Sequence, residues 1–506
     1  MKYILSHDLG TSGNKAALFD SDGAMLGSEL YNYPVHYFNE SWAEQNPNDW
    51  WQAVCASTAA LIERTHIDNK DIAAVCFSGQ MMGCLCVDRK GTPLGDAMIW
   101  ADQRSVTQTA AIKARITPQE YYTITGHRLS PSYGIEKLMW VRDNQPDIYQ
   151  KTYKALNAKD YIVLKMTGHF MTEPTDASGF GCMDLLLRTW SPRIIEAAGI
   201  DVNKLPDIWP SIHVGGAVTR EAARQTGLCP GTPVVLGGGD GMCANVGAGS
   251  VRPGKTYCSM GSSAWVATTS AKPMLDDEMR TVCWPHVVPG FYAPNGTMQS
   301  GGGAYNWLKN TVCLHETAMA QERGVCAYDL MNVQIEQSPP GANGVIFLPY
   351  LLGERSPRWS SFARGTFLGI KMENTRGDLM RSVLEGVAMN LALIFDVFRQ
   401  HEKIEELLLI GGGAKGSVWA QIIADILGAR VLIPEVVGEA ASMGAAVTGG
   451  VGVGLFKDFN VINQMIAIKA EIEANLENKE VYRRAQSFFE QSYQALESVY
   501  RGIEKA

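Results

Sequence analysis

Apolar stretches separated by short glycine-rich turns are the first regularity along this chain. Near its beginning, the apolar run Tyr3–Leu5 leads into the polar segment Asp8–Gly13, and Lys15–Phe19 then resumes an apolar pattern. Two apolar runs joined by such a turn are typical of a β-hairpin. The same arrangement returns about 250 residues later in Thr256–Ala267, with its turn at Gly261–Ser263, and a repeat of this length predicts a chain built from two similar halves.

Strand and helix patterns alternate through both halves. In the first half, Trp50–Arg64 has helical periodicity, Ile72–Ser78 is a strand pattern, and Pro233–Leu236 is a late strand that runs into Gly237–Asp240. The second half is predicted to contain strands and helices at Gly344–Pro349, Leu379–Phe398, Leu407–Ile410, Ser417–Leu427 and Arg430–Ile433. This alternation predicts an α/β fold with helices on both faces of a largely parallel sheet, in two domains that span residues 1–252 and 253–506.

Composition narrows the class of protein. The 506 residues are 46% hydrophobic and 19% charged, with a net charge of −8 and no block of Lys or Arg, so we expect a soluble enzyme that does not bind nucleic acid. Apolar runs fall short of the roughly 18 residues of a membrane span, and the start turns polar at Ser6–Asp8, too early for a secretion signal. We therefore expect a cytoplasmic protein without membrane contact.

Cysteine and histidine usage argues against a metal cluster. The eleven cysteines form no CxxC pair, and the nine histidines follow no metal-ligand spacing. In such a chain most thiols are expected to be buried small side chains rather than disulfides or ligands.

The segment Gly249–Thr256 matches the GxxxxGK[ST] pattern of a phosphate-binding P-loop, but its context does not. A P-loop needs a strand before it and a helix N-terminus after it, whereas here a β-rich stretch follows. Pro253 also lacks the backbone N–H that such a loop would use. We do not predict a P-loop at this segment.

A second glycine-rich motif, Gly411–Gly416, fits GxGxxG between a strand and a helix, and Glu435 lies about 20 residues further on, where a ribose-binding acid would be expected in a dinucleotide site. The motif is compatible with a contact to a nucleotide, with a dinucleotide site of an NAD-dependent oxidoreductase, or with a simple tight turn. We favour the nucleotide contact, because the dinucleotide alternative leaves the two repeated hairpin turns unexplained.

The hairpin turns themselves suit phosphate groups. Gly10, Thr11 and Ser12 in the first turn, like Gly261, Ser262 and Ser263 in the second, offer successive backbone N–H groups and hydroxyls without bulky side chains. Two such turns facing each other across a cleft would hold a polyphosphate. Only the first turn is preceded by a carboxylate, Asp8, which suits a single Mg²⁺ bound by one acid, phosphates and waters.

At this point the chain resembles the FGGY family of carbohydrate kinases, over essentially its whole length. The motifs follow the family's order and are Asp8–Gly13, Glu44–Pro47, Gly79–Met81, Trp100–Arg104, Lys159–Tyr161, Gly237–Asp240, Gly261–Ser263, Leu348–Leu351, Gly353–Pro357, Gly365–Ile370, Leu384–Gly386, Gly411–Lys415, Trp419, Gln421 and Asp425.

The resemblance implies a fold, a reaction and a set of site residues. The expected fold is two actin-like (ribonuclease H-type) ATPase domains with ATP, Mg²⁺ and a sugar in the central cleft. Asp240 matches the catalytic base, for which helix N-capping is the alternative role, and Asp8 matches the acid near Mg²⁺. The nucleotide is expected at both hairpin turns and at Gly411, Gly412, Gly413, Ala414 and Gln421. The sugar is expected at Met81, Met82, Trp100, Asp102, Asp240 and Gly241.

Three residues depart from the family's pattern at positions where contacts to the sugar are expected. Met82, Ala101 and Gly241 stand where D-xylulose kinases usually carry polar residues, which changes the expected substrate more than the expected reaction. D-Xylulose, phosphorylated to D-xylulose 5-phosphate, is the first expectation. The segment Asp276–Gly290 is also similar to kinases of autoinducer-2. Another ketose or polyol, an oxidoreductase and an actin-like ATP-binding sensor remain as alternatives, and a homodimer is left open.

Overall fold

The computed structural model describes residues 1–435 and 438–504, so residues 436, 437, 505 and 506 of the second predicted domain lie outside the described part. The strands are β1 (Tyr3–Leu9), β2 (Gly13–Asp20), β3 (Met25–Asn32), β4 (His36–Phe38), β5 (Trp42–Gln45), β6 (Ile72–Gly79), β7 (Leu85–Val87), β8 (Ala97–Met98), β9 (Lys154–Leu156), β10 (Met171–Thr172), β11 (Asp207–Ile208), β12 (Val214–Ala217), β13 (Pro233–Gly239), β14 (Thr256–Met260), β15 (Ala264–Thr268), β16 (Val282–Pro285), β17 (Tyr292–Met298), β18 (Ile346–Leu348), β19 (Thr366–Leu368), β20 (Glu406–Ile410), β21 (Arg430–Pro434) and β22 (Ile468–Ile472).

The α-helices lie between and after these strands. They are α1 (Pro47–Thr65), α2 (Val106–Lys113), α3 (Pro118–Thr125), α4 (Gly134–Asn144), α5 (Pro146–Lys151), α6 (Ala158–Thr167), α7 (Pro174–Gly179), α8 (Pro192–Ala198), α9 (Arg220–Thr226), α10 (Asp240–Gly247), α11 (Gly302–Thr311), α12 (Leu314–Arg323), α13 (Ala327–Gln337), α14 (Arg376–Arg399), α15 (Ser417–Leu427), α16 (Ala440–Gly452), α17 (Ile462–Met465) and α18 (Lys479–Glu504). No helix in the described ranges combines the length and the apolar composition that crossing a membrane would require.

Two large sheets carry the same strand order. The first runs β12-β13-β6-β1-β2-β3, and the second runs β16-β17-β15-β14-β20-β21-β22. In each, the first strand of the hairpin lies between its hairpin partner and a parallel strand, so β3-β2-β1-β6-β13 corresponds to β17-β15-β14-β20-β21. The predicted hairpins and the predicted duplication are confirmed, and the mixed α/β architecture is that of two actin-like domains.

The prediction of largely parallel sheets is wrong. Only β1–β6 and β6–β13 are parallel in the first sheet, and only β14–β20 and β20–β21 in the second. The remaining pairs are antiparallel. Several of them are hairpins at the start of each half, where strands joined by a short turn must run in opposite directions.

Successive residues of the first sheet point to opposite faces and enter different cores. On β1, Leu5 packs with Trp50 and Tyr161 from α1 and α6, whereas Ile4 packs with Val246 and Ala445 from α10 and α16. This alternation follows from the two-residue period of a strand. The first sheet is therefore buried on both faces, in agreement with the predicted helical layers.

Helices α10 and α16 lie between the two sheets. Ala244 of α10, Ala248 directly after it and Ala440 of α16 pack against Tyr257 and Ile410 of the second sheet. Although α16 follows β21 of the second sheet in sequence, it contacts β1, β6 and β13 of the first. The chain therefore returns to the first sheet through α16, and the division into domains at 252/253 stays a prediction.

The α10–α16 contact depends on glycine. A Cβ atom at Gly444 would lie 1.8 Å from the carbonyl oxygen of Cys243, which no packing can accommodate without separating the helices. We expect Gly444→Ala to lower the thermal unfolding temperature and to reduce any activity that depends on α10, with a cost of roughly 3 kcal/mol or more.

The matched control for this variant is Gly502→Ala in α18, where a Cβ atom would meet nothing within 4 Å. There, the higher helix propensity of alanine should stabilise the chain slightly, by about 1 kcal/mol or less. Unfolding followed by calorimetry for both variants checks the expectation, and an unchanged midpoint for Gly444→Ala would contradict it.

Candidate active site

Two cavities meet at strand β14, which contributes residues to both. The first, which we call the interdomain cavity, has a volume of about 470 Å³ and is lined by Asp8, Thr11, Met81, Met82, Trp100, Asp240, Gly241, Ala244, Tyr257, Ser259, Trp265, Trp284 and Ala441. The second, the second-domain cavity, has a volume of about 540 Å³ and is lined by Met260, Gly261, Ser262, Gly302, Tyr305, Asn306, Cys326, Tyr328, Asp329, Asn332, Gly412, Gly413, Lys415, Gly416 and Trp419.

Asp240 lines the interdomain cavity at the point where β13 passes into α10. The turn depends on Gly237, whose φ is +76° and whose missing Cβ would lie 1.7 Å from the carbonyl oxygen of Phe77. Gly239 occupies the N-cap position, and Asp240 is the first helical residue. The Asp240 side chain is exposed to solvent in the cleft, and its carboxylate accepts a hydrogen bond of 2.7 Å from the Gly241 amide.

The electrostatic surroundings of Asp240 suit a proton acceptor near neutral pH. Desolvation by the surrounding protein and the negative charge of Asp8 raise the pKa of Asp240 to about 7. Hydrogen bonds from backbone amides at the start of α10 act in the opposite direction and lower this pKa. A general base works best when its pKa lies close to the working pH.

Asp8 lies at the end of β1, beside Ser78 on β6 and Lys15 on β2. The Ser78 hydroxyl donates a bond of 2.8 Å to its carboxylate. Burial raises the pKa of Asp8, while Ser78 and Lys15 lower it. Lys15 itself pairs with Glu439 at 3.1 Å rather than reaching into the cavity.

The oxygen atoms around Asp8 fit a magnesium ion that is mostly bound by other groups. Asp8, Thr11 and Ser259 bring a carboxylate and two hydroxyls to the same cavity, and Mg²⁺ prefers oxygen ligands and keeps several waters. Among the described residues, no group of three or more His, Cys, Asp or Glu side chains is arranged to hold a metal ion. One carboxylate with phosphates and water is the arrangement these residues could support.

The first hairpin turn is held by side chains from other elements. Tyr33 donates to the Gly10 carbonyl at 2.6 Å, Gln45 to the Thr11 carbonyl at 2.7 Å, and the Trp100 indole to the Thr11 hydroxyl at 2.8 Å. Ser12 accepts a backbone bond from Tyr33. Thr11 and Trp100 both line the interdomain cavity.

The second hairpin turn opens on the second-domain cavity. Gly302 and Gly303 donate backbone bonds to Gly261 and Ser262 at 2.8 and 2.9 Å, which ties the turn to the start of α11. Ser263 is exposed at the same turn. Because each turn borders a different cavity and the cavities share β14, a polyphosphate could reach from one turn to the other.

The loop after β20 forms the opposite wall of the second-domain cavity. Gly412 and Gly413 line it, with Gly413 close against the Met260 side chain. Gly411 begins the loop with a φ of +85°, and Ala414 is buried behind it. The Tyr305 hydroxyl donates to Asn332 Oδ1 at 2.9 Å, which leaves the Asn332 amide group available to a ligand.

The walls of the interdomain cavity beside Asp240 are mainly apolar. They comprise Met81, Met82, Trp100, Trp265 and Trp284. A Cβ atom at Gly241 would lie 3.2 Å from the Trp265 ring, so the indole occupies the space that a larger side chain would need. Met82 adopts a φ of +63°, and its carbonyl accepts a 2.7 Å bond from Lys137.

Two predicted contacts are placed elsewhere by the structure. Asp102 is fully buried, accepts two bonds from the Arg104 guanidinium and one from the Ala43 amide, and does not line the cavity. Gln421 donates to Asp425 and to the Glu473 carbonyl, away from the second-domain cavity. Both residues thus contact other parts of the fold, and neither lines either cavity.

Several lining residues were not predicted. Trp265 and Trp284 border the sugar side, and Tyr305, Asn306, Tyr328 and Asn332 border the second cavity. Trp265 follows the second hairpin turn by two residues, and this spacing was the only signal in the sequence that could have indicated its place.

Comparison with known proteins agrees with this geometry. Residues 3–247 match the N-terminal domain, and residues 256–453 the C-terminal domain, of the FGGY family of carbohydrate kinases. The chain is 30% identical over 503 residues to a gluconokinase of Bacillus licheniformis, covering 99% of this chain and 97% of that protein. It is also 30% identical over 504 residues to a xylulose kinase of Bacillus subtilis, with the same two shares covered.

A solved structure shares the fold over nearly the whole chain. The ligand-bound xylulose kinase of Lactobacillus acidophilus superposes with a TM-score of 0.91 at 25% identity, over 99% of this chain and all of that one. Both domain matches are to carbohydrate kinases, a class of enzymes that transfer a phosphoryl group. The chain belongs to the FGGY family of carbohydrate kinases.

This assignment resolves the ambiguous glycine-rich motifs. The Gly411 loop lines a cavity of the kinase's second domain, so the oxidoreductase alternative is not retained. The segment Gly249–Thr256 is a connection from α10 to β14, and Lys255 forms an ion pair with Glu406. Of the eleven cysteines, eight are buried and none is in a disulfide, as predicted.

A pH dependence follows from the surroundings of Asp240. A base must be deprotonated to accept a proton, so kcat/KM for the sugar should fall about tenfold per pH unit below a pH of about 7 and level off above it. Steady-state rates between pH 5.5 and 9, with unfolding temperatures measured at each pH, check this. A flat profile down to pH 5.5 would argue against Asp240 as the group that titrates.

Proposed function

We propose that this kinase transfers the γ-phosphoryl group of ATP to D-xylulose, giving D-xylulose 5-phosphate. The relatives at equal identity act on a neutral ketose or on gluconate, going by their names. The observation that carries the choice is the absence of a cation: among the described residues that line the interdomain cavity, none is Lys or Arg. A bound carboxylate substrate would face Asp8 and Asp240 without an opposite charge, which is unfavourable.

The proposed reaction uses Asp240 as the base. Its carboxylate accepts the proton of the sugar's terminal hydroxyl while that oxygen forms a bond to the γ-phosphorus, and the bond from the γ-phosphorus to the bridging oxygen of ADP breaks. Little covalent chemistry is required of the protein, whose main tasks are alignment and charge neutralisation. Asp8 would hold Mg²⁺, which supplies positive charge to the phosphate oxygens.

The remaining predicted residues fit supporting roles in this proposal. The turn Gly10–Ser12 and the turn Gly261–Ser263 would bind phosphates through backbone N–H groups. The second-domain cavity would hold the adenosine part, between Gly412–Gly413 and the Tyr305–Asn332 pair. The cytoplasmic location and the homodimer stay predictions.

The apolar walls favour a second candidate substrate. The Trp265 indole ring fills the space next to Gly241, where a larger polar side chain could otherwise contact a sugar hydroxyl. A short substrate with a methyl group in place of one hydroxymethyl group would meet these walls without leaving a hydroxyl unpaired. The autoinducer-2 precursor, expected from the resemblance of Asp276–Gly290, is of this kind.

A substrate panel tests the proposal. ADP release with Mg-ATP would be measured for D-xylulose, L-xylulose, D-ribulose, gluconate and the autoinducer-2 precursor. We expect D-xylulose to have the highest kcat/KM and gluconate to be turned over at least about 100-fold less efficiently, because a buried unpaired charge is costly.

The control is Asp240→Asn, which keeps the shape of the side chain but removes its basicity. We expect it to lower kcat by about 100-fold or more, while ATP still binds. Preference for gluconate would overturn the substrate choice. ATP binding without turnover of any member would favour an ATP-binding sensor.

A further inference from the structure

A cluster of buried charged side chains lies next to β13 and lines neither cavity. Lys159 is fully buried and contacts Asp160 and Asp176 at 3.1 Å and Glu173 at 3.7 Å. Burial alone would lower the pKa of Lys159, but the three carboxylates outweigh it and raise the pKa, so the ammonium stays charged. Such a cluster is costly to bury unless its geometry is fixed by further bonds.

Glu173 is the member of this cluster with the most bonds. As the N-cap of α7, it accepts the backbone N–H groups of Thr175 and Asp176, each at 2.9 Å. It also accepts the hydroxyls of Ser211 at 2.7 Å and Thr175 at 2.5 Å. A carboxylate held by four donors and a nearby ammonium has little freedom to move.

The Thr175 hydroxyl links this cluster to the backbone before Asp240. Because a carboxylate can only accept hydrogen bonds, the single hydroxyl proton of Thr175 is donated to Glu173. The lone pairs of the Thr175 hydroxyl oxygen remain available to accept a hydrogen bond from another group. The Gly239 amide donates to Thr175 Oγ1 at 2.7 Å. On its other side, Gly239 is in close contact with Met81, which lines the interdomain cavity.

We propose that Thr175 is a positioning residue for the reaction: oriented by Glu173, its hydroxyl holds the Gly239 amide and thereby fixes where the adjoining Asp240 carboxylate stands. This inference rests on the proposed function of Asp240 as the base. Thr175 touches neither substrate nor either cavity, so its effect must pass through Asp240. Ser211 contributes twice, because its carbonyl also accepts from the Gly237 amide at 2.9 Å.

The test compares Thr175→Val, which keeps the shape but removes the hydroxyl, with Thr175→Ser, which keeps it. We expect Thr175→Val to lower kcat between about 10- and 100-fold, the loss typical of a slightly misplaced group. KM for the sugar and the dissociation constant of Mg-ATP should change by less than about twofold, because binding groups are untouched. Thr175→Ser should restore most of kcat.

Thr226→Val is the matched control. Thr226 is also fully buried, donates to a backbone carbonyl at 2.8 Å and accepts a backbone amide at 3.3 Å, but it lies on α9. A similar loss of thermal stability with an unchanged kcat is expected. An equal loss of kcat in Thr226→Val would mean that the Thr175 effect is general destabilisation, and the proposal would fail.

A double-mutant cycle separates this inference from the function on which it rests. If Thr175 acts through Asp240, Thr175→Val should have no further effect on the residual rate of Asp240→Asn. Additive losses would overturn the positioning role while leaving Asp240 as the base. Full activity of Asp240→Asn itself would instead refute the proposed function. If Thr175→Val does not fold, Ser211→Ala tests the same link and should lower kcat without weakening ATP binding; an unchanged kcat would count against the proposal.

Discussion

The contact between α10 and α16 is the constraint on which the two-domain arrangement depends. Backbone meets backbone at two points, because Gly444 faces the Cys243 carbonyl and Gly247 faces the Ala440 carbonyl without room for a side chain. This thin helical layer packs against both sheets at once. Since α10 begins with Asp240, the spacing of the sheets and the position of the Asp240 carboxylate are set by the same contact.

Much of the fold could be predicted because it is encoded locally. The turn at Asp8–Gly13 and the long apolar stripe of α14 are visible within a few residues, and the structure confirms both. The return of α16 to the first sheet depends on partners hundreds of residues away. For α16, the small residues of Ala440–Gly452 indicate close packing but do not identify the partner.

The candidate site was predicted unevenly, for chemical reasons. Asp8 and Asp240 lie where strands end at glycine-rich turns, which is a position with few structural roles for an acid. Asp102 lies in an equally distinctive motif, yet there the acid serves a buried ion pair with Arg104, which itself stacks on the Trp42 ring. A motif alone does not tell whether a charged residue binds a ligand or another side chain. Trp265 does line the interdomain cavity, but the sequence gives no indication of this, because a tryptophan in a strand pattern cannot be distinguished from a core residue.

The bond between the Trp100 indole and the Thr11 hydroxyl has a consequence for how the two substrates influence each other. Trp100 is 41% exposed and has little packing to fix it, so this 2.8 Å bond largely determines its orientation. One end of the bond belongs to the turn for which we propose phosphate binding, and the other to a wall of the cavity that we propose holds the sugar. A ligand that orders either end orders both, and thermodynamic linkage makes the effect mutual. The proposed function therefore implies synergy between nucleotide and sugar binding through a single side-chain contact.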